Sequence, residues 1–231
     1  MSPVTPLKRG RFITFEGLDG CGKSTQMRRL AEVLRRQGID VVETREPGGT
    51  PIGERIRAVL LDSATSGLAP RTELALMFAS RAQQIYENIL PALNSGKWVL
   101  CDRFTDSSEA YQGGGRKLGS EAVLAMHRVI CGDLQPDMTV LMDSDPAASV
   151  ARARRRNLAK VATSEGGDVD ENRFEQENRA FFNRVHEAYL VIAQRDSRRV
   201  LMLDARRQAD IVHGEIVAAV RERILGAAKT A

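Results

Sequence analysis

Short apolar runs alternate with stretches of helical spacing along the whole chain. Arg11–Glu16 is apolar, β-branched and aromatic and stops at a glycine loop, as a buried strand does. Lys23–Arg36 then carries Met27, Leu30, Ala31 and Leu34 on one helical face, and Gly38 ends it. Ile39–Thr44 reads as a second strand, followed by a Pro-Gly-Gly loop at Pro47–Gly49 and a helix over Ile52–Leu61. Thr72–Leu93 is a long helical pattern ending near Gly96, with a strand at Trp98–Asp102. Helices are expected near Ser107–Tyr111 and Ser120–Ile130, then a strand at Met138–Asp143 and a helix opening at Pro146. Polar Asn157–Glu171, with Gly166-Gly167 inside it, reads as a mobile loop. Phe174–Gln194 is helical, Val200–Asp204 a last strand and Ile211–Leu225 a last helix. The alternation predicts an α/β fold: a mainly parallel five-stranded sheet with helices on both faces. With no internal repeat and no dividing linker, residues 1–231 are expected to form a single domain, with 1–10 a flexible lead.

Composition narrows the class. Hydrophobic residues at 42% and charged residues at 28% predict a packed core rather than disorder. No apolar run approaches the length of a membrane span, and the lead lacks a signal-peptide stretch. Cys21, Cys101 and Cys131 lack metal-ligand spacing, so reduced thiols and a cytoplasmic location are expected. The net charge of +4 admits a nucleic-acid partner, but the charges are dispersed and aromatics are only 5%, so none is expected. A small, multiply anionic ligand suits the basic excess equally well.

The strongest motif follows the first strand. Gly17-Leu18-Asp19-Gly20-Cys21-Gly22-Lys23-Ser24 matches GxxxxGK[ST], a P-loop set between strand and helix. Its glycines let backbone N–H groups reach phosphate oxygens, and the following helix points its positive end at the anion. Lys23 reaches the β- and γ-phosphates of ATP, Ser24 ligates Mg²⁺, and Gly17 through Ser24, with Thr25, form the expected phosphate contacts. A P-loop alone also suits GTPases and ATPases that act on nucleic acid. No NKxD-type guanine signature is present, and the third strand ends in Asp102-Arg103 rather than in paired acids.

Further blocks follow in order: Glu16-Gly17-Leu18-Asp19-Gly20, Arg45-Glu46-Pro47-Gly48-Gly49-Thr50, Asp102-Arg103-Phe104 and Ala110-Tyr111-Gln112-Gly113-Gly114-Gly115. Together they resemble the bacterial thymidylate kinases from about Arg11 to Asp204. The resemblance implies a P-loop NTPase-like three-layer sandwich, ATP with Mg²⁺, dTMP as acceptor and a homodimer. Arg45 and Arg103 would hold the acceptor's phosphate, with Pro47 beside them; a surface ion pair is the competing role for each arginine. Asp19 would meet the 3′-hydroxyl, Glu16 would support it or close a strand end, and Asp102 would partner Mg²⁺. Arg81 would bond the base, while its stacking partner stays open between Met77 and Phe78. Ser107, Ser108 and Gln112 would line the thymine edge, and Tyr111 would crowd the 2′ position. Arg152, Arg154 and Arg156 are read either as a solvated helix end or as the arginines of a lid over about 152–171. The lid reading matches the kind of family member whose P-loop, like Gly20 here, lacks a basic residue. In Asn172-Arg173-Phe174-Glu175, Asn172 stands where the family often has an acid.

Overall fold

The computed structural model describes residues 9–65, 67–163, 173, 174 and 176–226, and the side chains of 156–163 are outside that description. Most of the lead therefore lies outside the described residues, as do Asn172 and Glu175.

Five strands, β1 (Phe12–Glu16), β2 (Val41–Arg45), β3 (Trp98–Asp102), β4 (Met138–Asp143) and β5 (Val200–Asp204), run parallel in the order β2-β3-β1-β4-β5. Period-two alternation sorts their side chains between two covered faces. Ile13, Phe15, Trp98, Leu100, Met138, Val140 and Met142 pack on one face against Leu30 and Leu34 of α1 (Lys23–Arg36) and Ile216 and Val220 of α9 (Ala209–Val220). Phe12, Val99 and Cys101 point the other way, into Leu74 and Phe78 of α3 (Pro70–Gln84) and Val123 of α6 (Ser120–Cys131). Leu141 joins Phe181, Phe182, Val185 and Tyr189 of α8 (Arg179–Arg195). Two polar positions, Thr14 and Thr139, satisfy one another across β1 and β4 at 2.7 Å.

Several boundaries differ from the periodicity, each for a local reason. Gly38, at φ 78°, lets Ile39 turn back so that its N–H bonds Leu34 O at 3.1 Å; Ile39 caps the helix, and the strand begins at Val41. The long third helix starts at Pro70 and widens into a π-turn over Ile85–Ile89 before α4 (Leu90–Asn94). Pro91 lacks an N–H and its ring crowds the carbonyl four residues back, which accounts for the wider turn just ahead of it. Between Pro51 and Leu61, α2 is capped by Thr50 Oγ1, which accepts from Gly53 N. After β3, α5 (Thr105–Ser108) passes into a second π-segment, Glu109–Gly115. The expected loop at Asn157 is corrected at its start: α7 (Pro146–Thr163) runs seven residues into it, because Leu158 to Val161 are good helix formers with no breaker among them. Helix α8 begins five residues later than expected, where Asn178 accepts from Phe181 N at 2.9 Å.

Sheet order reverses about β1: the chain leaves it toward β2 and later crosses it to reach β4. Ligands of open α/β sheets gather beyond the carboxyl ends of the strands at such a reversal. Glu16, Arg45, Asp102, Asp143 and Asp204 all stand at those ends.

Candidate active site

The phosphate loop occupies the end of β1. Gly17, Gly20 and Gly22 have φ of 129°, 79° and 102°, values costly for side-chain-bearing residues. A Cβ on Gly20 would also stand 2.7 Å from Ser149 O, so glycine is what lets the loop lie against α7. Leu18 and Cys21 bury their side chains, leaving only their backbone to meet a ligand, while Thr25 is exposed at the start of α1. Lys23 spans the loop, donating to Gly17 O at 3.1 Å and Leu18 O at 2.9 Å. Ser24 Oγ donates to Asp102 Oδ2 at 2.7 Å. These two oxygens come from different elements and form a hard-donor pair of the kind that Mg²⁺ accepts alongside phosphate and water.

Arg103 reaches the same loop from the end of β3. Its Nη2 pairs with Asp19 Oδ1 at 2.8 Å and approaches Tyr111 Oη at 3.3 Å. Nη1 donates to Ser107 Oγ at 2.9 Å and Tyr189 Oη at 3.3 Å. The backbone of Arg103 sits at φ 75°, a conformation that costs a non-glycine residue about 1–3 kcal/mol and survives only when its surroundings fix it. They do: its N–H bonds Phe15 O at 2.9 Å, and the next N–H, of Phe104, bonds Glu16 Oε1 at 2.7 Å. Burial, then the nearby Asp106 carboxylate, push the Glu16 carboxyl up to about 7. Burial likewise pushes the Tyr111 and Tyr189 phenols up, so both are neutral donors.

The surroundings of Arg81 are drier. Arg81 is almost fully buried, with Nε on Glu46 Oε2 at 2.7 Å and Nη2 on Phe104 O and Ser108 Oγ, both at 3.0 Å. Its guanidinium lies 4.5 Å from the Phe78 ring centroid and 5.0 Å from that of Phe104. Arg81 Nη1 and Gln112 Oε1 are buried without a protein partner, one a donor and the other an acceptor. Phe78 has no exposed surface, whereas Met77 is half-buried beside the cluster holding Leu18 and Tyr111. Pro47 is buried after a cis peptide bond, and its carbonyl accepts from Arg57 Nη1 at 3.1 Å. Arg45 is exposed and engages Glu54 through both carboxylate oxygens, at 3.0 and 3.1 Å.

Among the arginines of α7, Arg152 reaches the phosphate loop: Nε donates to Gly20 O at 2.9 Å and Nη2 to Ser149 Oγ at 3.0 Å. Arg154 is exposed and directs Nη2 at Glu177 O, 3.5 Å away. The side chain of Arg156 lies outside the described residues.

Two participants escaped the sequence reading. Tyr189 of α8 inserts its hydroxyl among Glu16, Ser107 and Arg103. A phenol on an otherwise apolar helical stripe was the available signal, because a buried tyrosine needs a partner for its tip. Glu73, wholly buried on α3, accepts from Gln112 Nε2 at 2.8 Å, Arg116 Nε at 3.1 Å and Arg173 Nη1 at 2.7 Å. Arg116 also pairs with Glu177.

Comparison with known proteins shows the family. A family model described as thymidylate kinase matches residues 15–216. The thymidylate kinase of Alkalilimnicola ehrlichii is 49% identical over 206 residues, spanning 89% of this chain and 90% of that protein. That of Bordetella pertussis is 46% identical over 225 residues, 97% and 100% of the two chains. The crystal structure of thymidylate kinase from Ehrlichia chaffeensis superposes with a TM-score of 0.72 at 30% identity, covering 92% of this chain and 99% of that one.

Proposed function

The chain belongs to the thymidylate kinase family and is a nucleoside-monophosphate kinase that transfers the γ-phosphoryl group of ATP to dTMP, giving dTDP; from that premise we propose how its residues divide the work. The observation that carries the proposal is the 2.8 Å pairing of Arg103 with Asp19, which joins an acceptor-side guanidinium to the phosphate loop. Two phosphate-binding elements at that separation hold donor and acceptor in line, the geometry phosphoryl transfer demands.

Gly17 to Thr25 wrap the ATP phosphates with backbone N–H groups, and Lys23 leaves the carbonyls of Gly17 and Leu18 for the β- and γ-phosphates. Arg103 holds the dTMP phosphate, with Arg45 and Pro47 at the outer wall; Asp19 is then released toward the 3′-hydroxyl. Arg81 Nη1 offers its unused donor to a ring carbonyl of thymine, while Gln112 Oε1 accepts from the ring N–H. Ser108 steadies Arg81 and Ser107 steadies Arg103. Met77 forms the apolar flank of the base, with Phe78 sealed behind it under the Arg81 guanidinium, and Tyr111 fills the space a 2′-hydroxyl would need. Arg152, with Arg154 and Arg156 farther along α7, covers the transferred phosphoryl group and supplies the positive charge that Gly20 cannot. Ser24 and Asp102 would hold Mg²⁺, which would supply charge neutralisation on the ATP phosphates. The acceptor phosphate is already ionised at neutral pH, so no side chain need act as a strong base.

One coupled ADP-release assay tests these roles together, comparing dTMP with dUMP, dCMP, AMP and thymidine while titrating Mg²⁺. The expected result is strong preference for dTMP and, in Asp102→Asn, a Mg²⁺ requirement raised by about tenfold or more. An unchanged Mg²⁺ midpoint in that variant would remove Asp102 from the metal site. ADP release that ignores the acceptor would instead favour a P-loop ATPase.

The protein acts as a single kinase domain and as a homodimer, in the cytoplasm. Exposed apolar side chains support the dimer: Ile52 and Val59 on α2, Tyr86 and Leu90 along the third helix, and Val129 on α6, helices that pack beside one another. Sedimentation should give a dimer mass that Tyr86→Glu with Val129→Glu converts to monomer; a monomeric parent chain would sink the assignment. All three cysteines are buried and unpaired, consistent with a reducing compartment. No helix among the described residues is long and apolar enough to cross a membrane.

A further inference from the structure

The side chain of Arg103 is aimed by groups that reach it through a single carboxylate. Glu16 Oε1 accepts the Phe104 N–H at 2.7 Å, fixing the peptide just after Arg103. Its Oε2 accepts the hydroxyl protons of Ser107 at 2.5 Å and Tyr189 at 3.1 Å. The oxygens of those two hydroxyls in turn receive Arg103 Nη1, at 2.9 and 3.3 Å. A hydroxyl has one proton to give and lone pairs to spare. When Glu16 takes both protons, both oxygens present only lone pairs to the guanidinium.

We propose that Tyr189 and Glu16 act together as positioning residues that aim the Arg103 guanidinium at the acceptor phosphate. The inference rests on the reading that Arg103 holds that phosphate. Tyr189 comes from α8, 86 residues from Arg103 in sequence, and is nearly fully buried, so its hydroxyl can serve only this cluster. Its oxygen also lies 2.9 Å from Ser107 Oγ, so the two hydroxyls belong to one cluster. Neither residue touches substrate in this arrangement; both act through Arg103.

The arrangement depends on the charge of Glu16. A protonated Glu16 gives a proton to one of these hydroxyls in place of taking one, and the hydroxyl proton this frees can point at the neighbouring hydroxyl or at Arg103, where it opposes the guanidinium N–H. The groups facing Glu16 set where this happens. Burial and Asp106 of α5 raise its carboxyl to about 7, while Ser107, Arg103 and the Phe104 N–H lower it. Tyr189 of α8 and Cys101 of β3 face it as neutral groups, since burial raises both of them. Asp19 and Tyr111 face Arg103 from its other side. The sign follows: aiming is complete when Glu16 is ionised, above about 7, and is lost as pH falls through that value.

The test is steady-state kinetics on the full chain between pH 5.5 and 8.5, with KM for dTMP and ATP measured separately. Tyr189→Phe keeps the ring and removes only the hydroxyl. At pH 8 it should raise KM for dTMP about fivefold or more, leaving KM for ATP and the melting temperature near their starting values. Glu16→Gln, which imitates the protonated acid, should show the raised KM at every pH and lose the step near 7 seen in the parent; the step near 6 from the phosphate of dTMP stays in both. In an Arg103→Ala background, Tyr189→Phe should add nothing. Overturning results are an unchanged KM for dTMP in Tyr189→Phe, equal rises for both substrates, or additive effects with Arg103→Ala. If Arg103→Ala raises KM for dTMP but Tyr189→Phe does not, the positioning role falls and the Arg103 reading survives. If Arg103→Ala leaves that KM unchanged, both fall.

Discussion

Lys23→Ala stops turnover, with kcat falling by about three orders of magnitude, the upper end of what loss of one preorganised donor to developing charge costs. The size follows from where Lys23 sits. It is only 5% exposed, and its ammonium already spans the loop between Gly17 O and Leu18 O, so little reorganisation separates its resting contacts from the phosphates. No other residue from Gly17 to Ser24 is a cation, so nothing in the loop itself can replace it. The fold should scarcely notice. Two hydrogen bonds to carbonyls are lost, worth about 1 kcal/mol each, which moves the melting temperature of a chain this size by only a few degrees. ADP release and a thermal melt on one preparation decide the matter, and a kcat within tenfold of the parent refutes the role.

The second large effect is on stability. Arg81→Ala strands the Glu46 carboxylate in a site where both partners are at most 4% exposed. Removing one member of a buried ion pair costs about 3–5 kcal/mol, so the melting temperature should fall by roughly 10 °C. Burial already raises the Glu46 carboxyl in the parent chain, with Arg81 opposing that rise. Without Arg81 the acid moves higher still. For an acid whose folded value lies above its unfolded one, stability is fully present below the unfolded value and is lost as pH rises through the folded one. The variant should therefore melt progressively higher as pH is lowered from 8 toward 5. Replacing both residues by apolar ones, Glu46→Leu with Arg81→Met, should recover most of the lost stability without restoring dTMP binding. An Arg81→Ala variant that melts within 3 °C of the parent contradicts the account.

Much of the architecture was legible because its causes are local. The strand from Met138 to Asp143 and the helix from Lys23 to Arg36 are bounded by apolar spacing and glycines, and they appear with the expected limits. Ser24 and Asp102 were each expected near one metal ion, and they stand 2.7 Å apart although 78 residues separate them. Elsewhere the deciding partner was distant. Nothing near Glu73 announces a buried acid, because the residues that justify it, Gln112, Arg116 and Arg173, belong to other segments. Tyr189 resembled a core residue because its helix face is apolar, and only packing reveals the polar tip. The choice between Met77 and Phe78 resisted for another reason. Residues three and four before Arg81 share a helix face in sequence arithmetic, yet one is sealed in the core and the other lies half open. The loop at Asn157 was started too early because Leu158, Ala159, Lys160 and Ala162 were absorbed into a polar tract although they favour a helix.

The buried carboxylate of Glu73 also places a condition on how the chain is made. Its salt-bridge partner Arg173 follows 100 residues later, which at 5–20 residues per second is roughly 5–20 s of synthesis. Arg116 comes only 43 residues after the acid and can pair with it first, but the burial of Glu73 is complete only once Arg173 has also left the ribosome. Both halves of the active site thus wait on residues from the later part of the chain: the phosphate loop on Ser149 and Arg152, and the wall around Gln112 on Arg173.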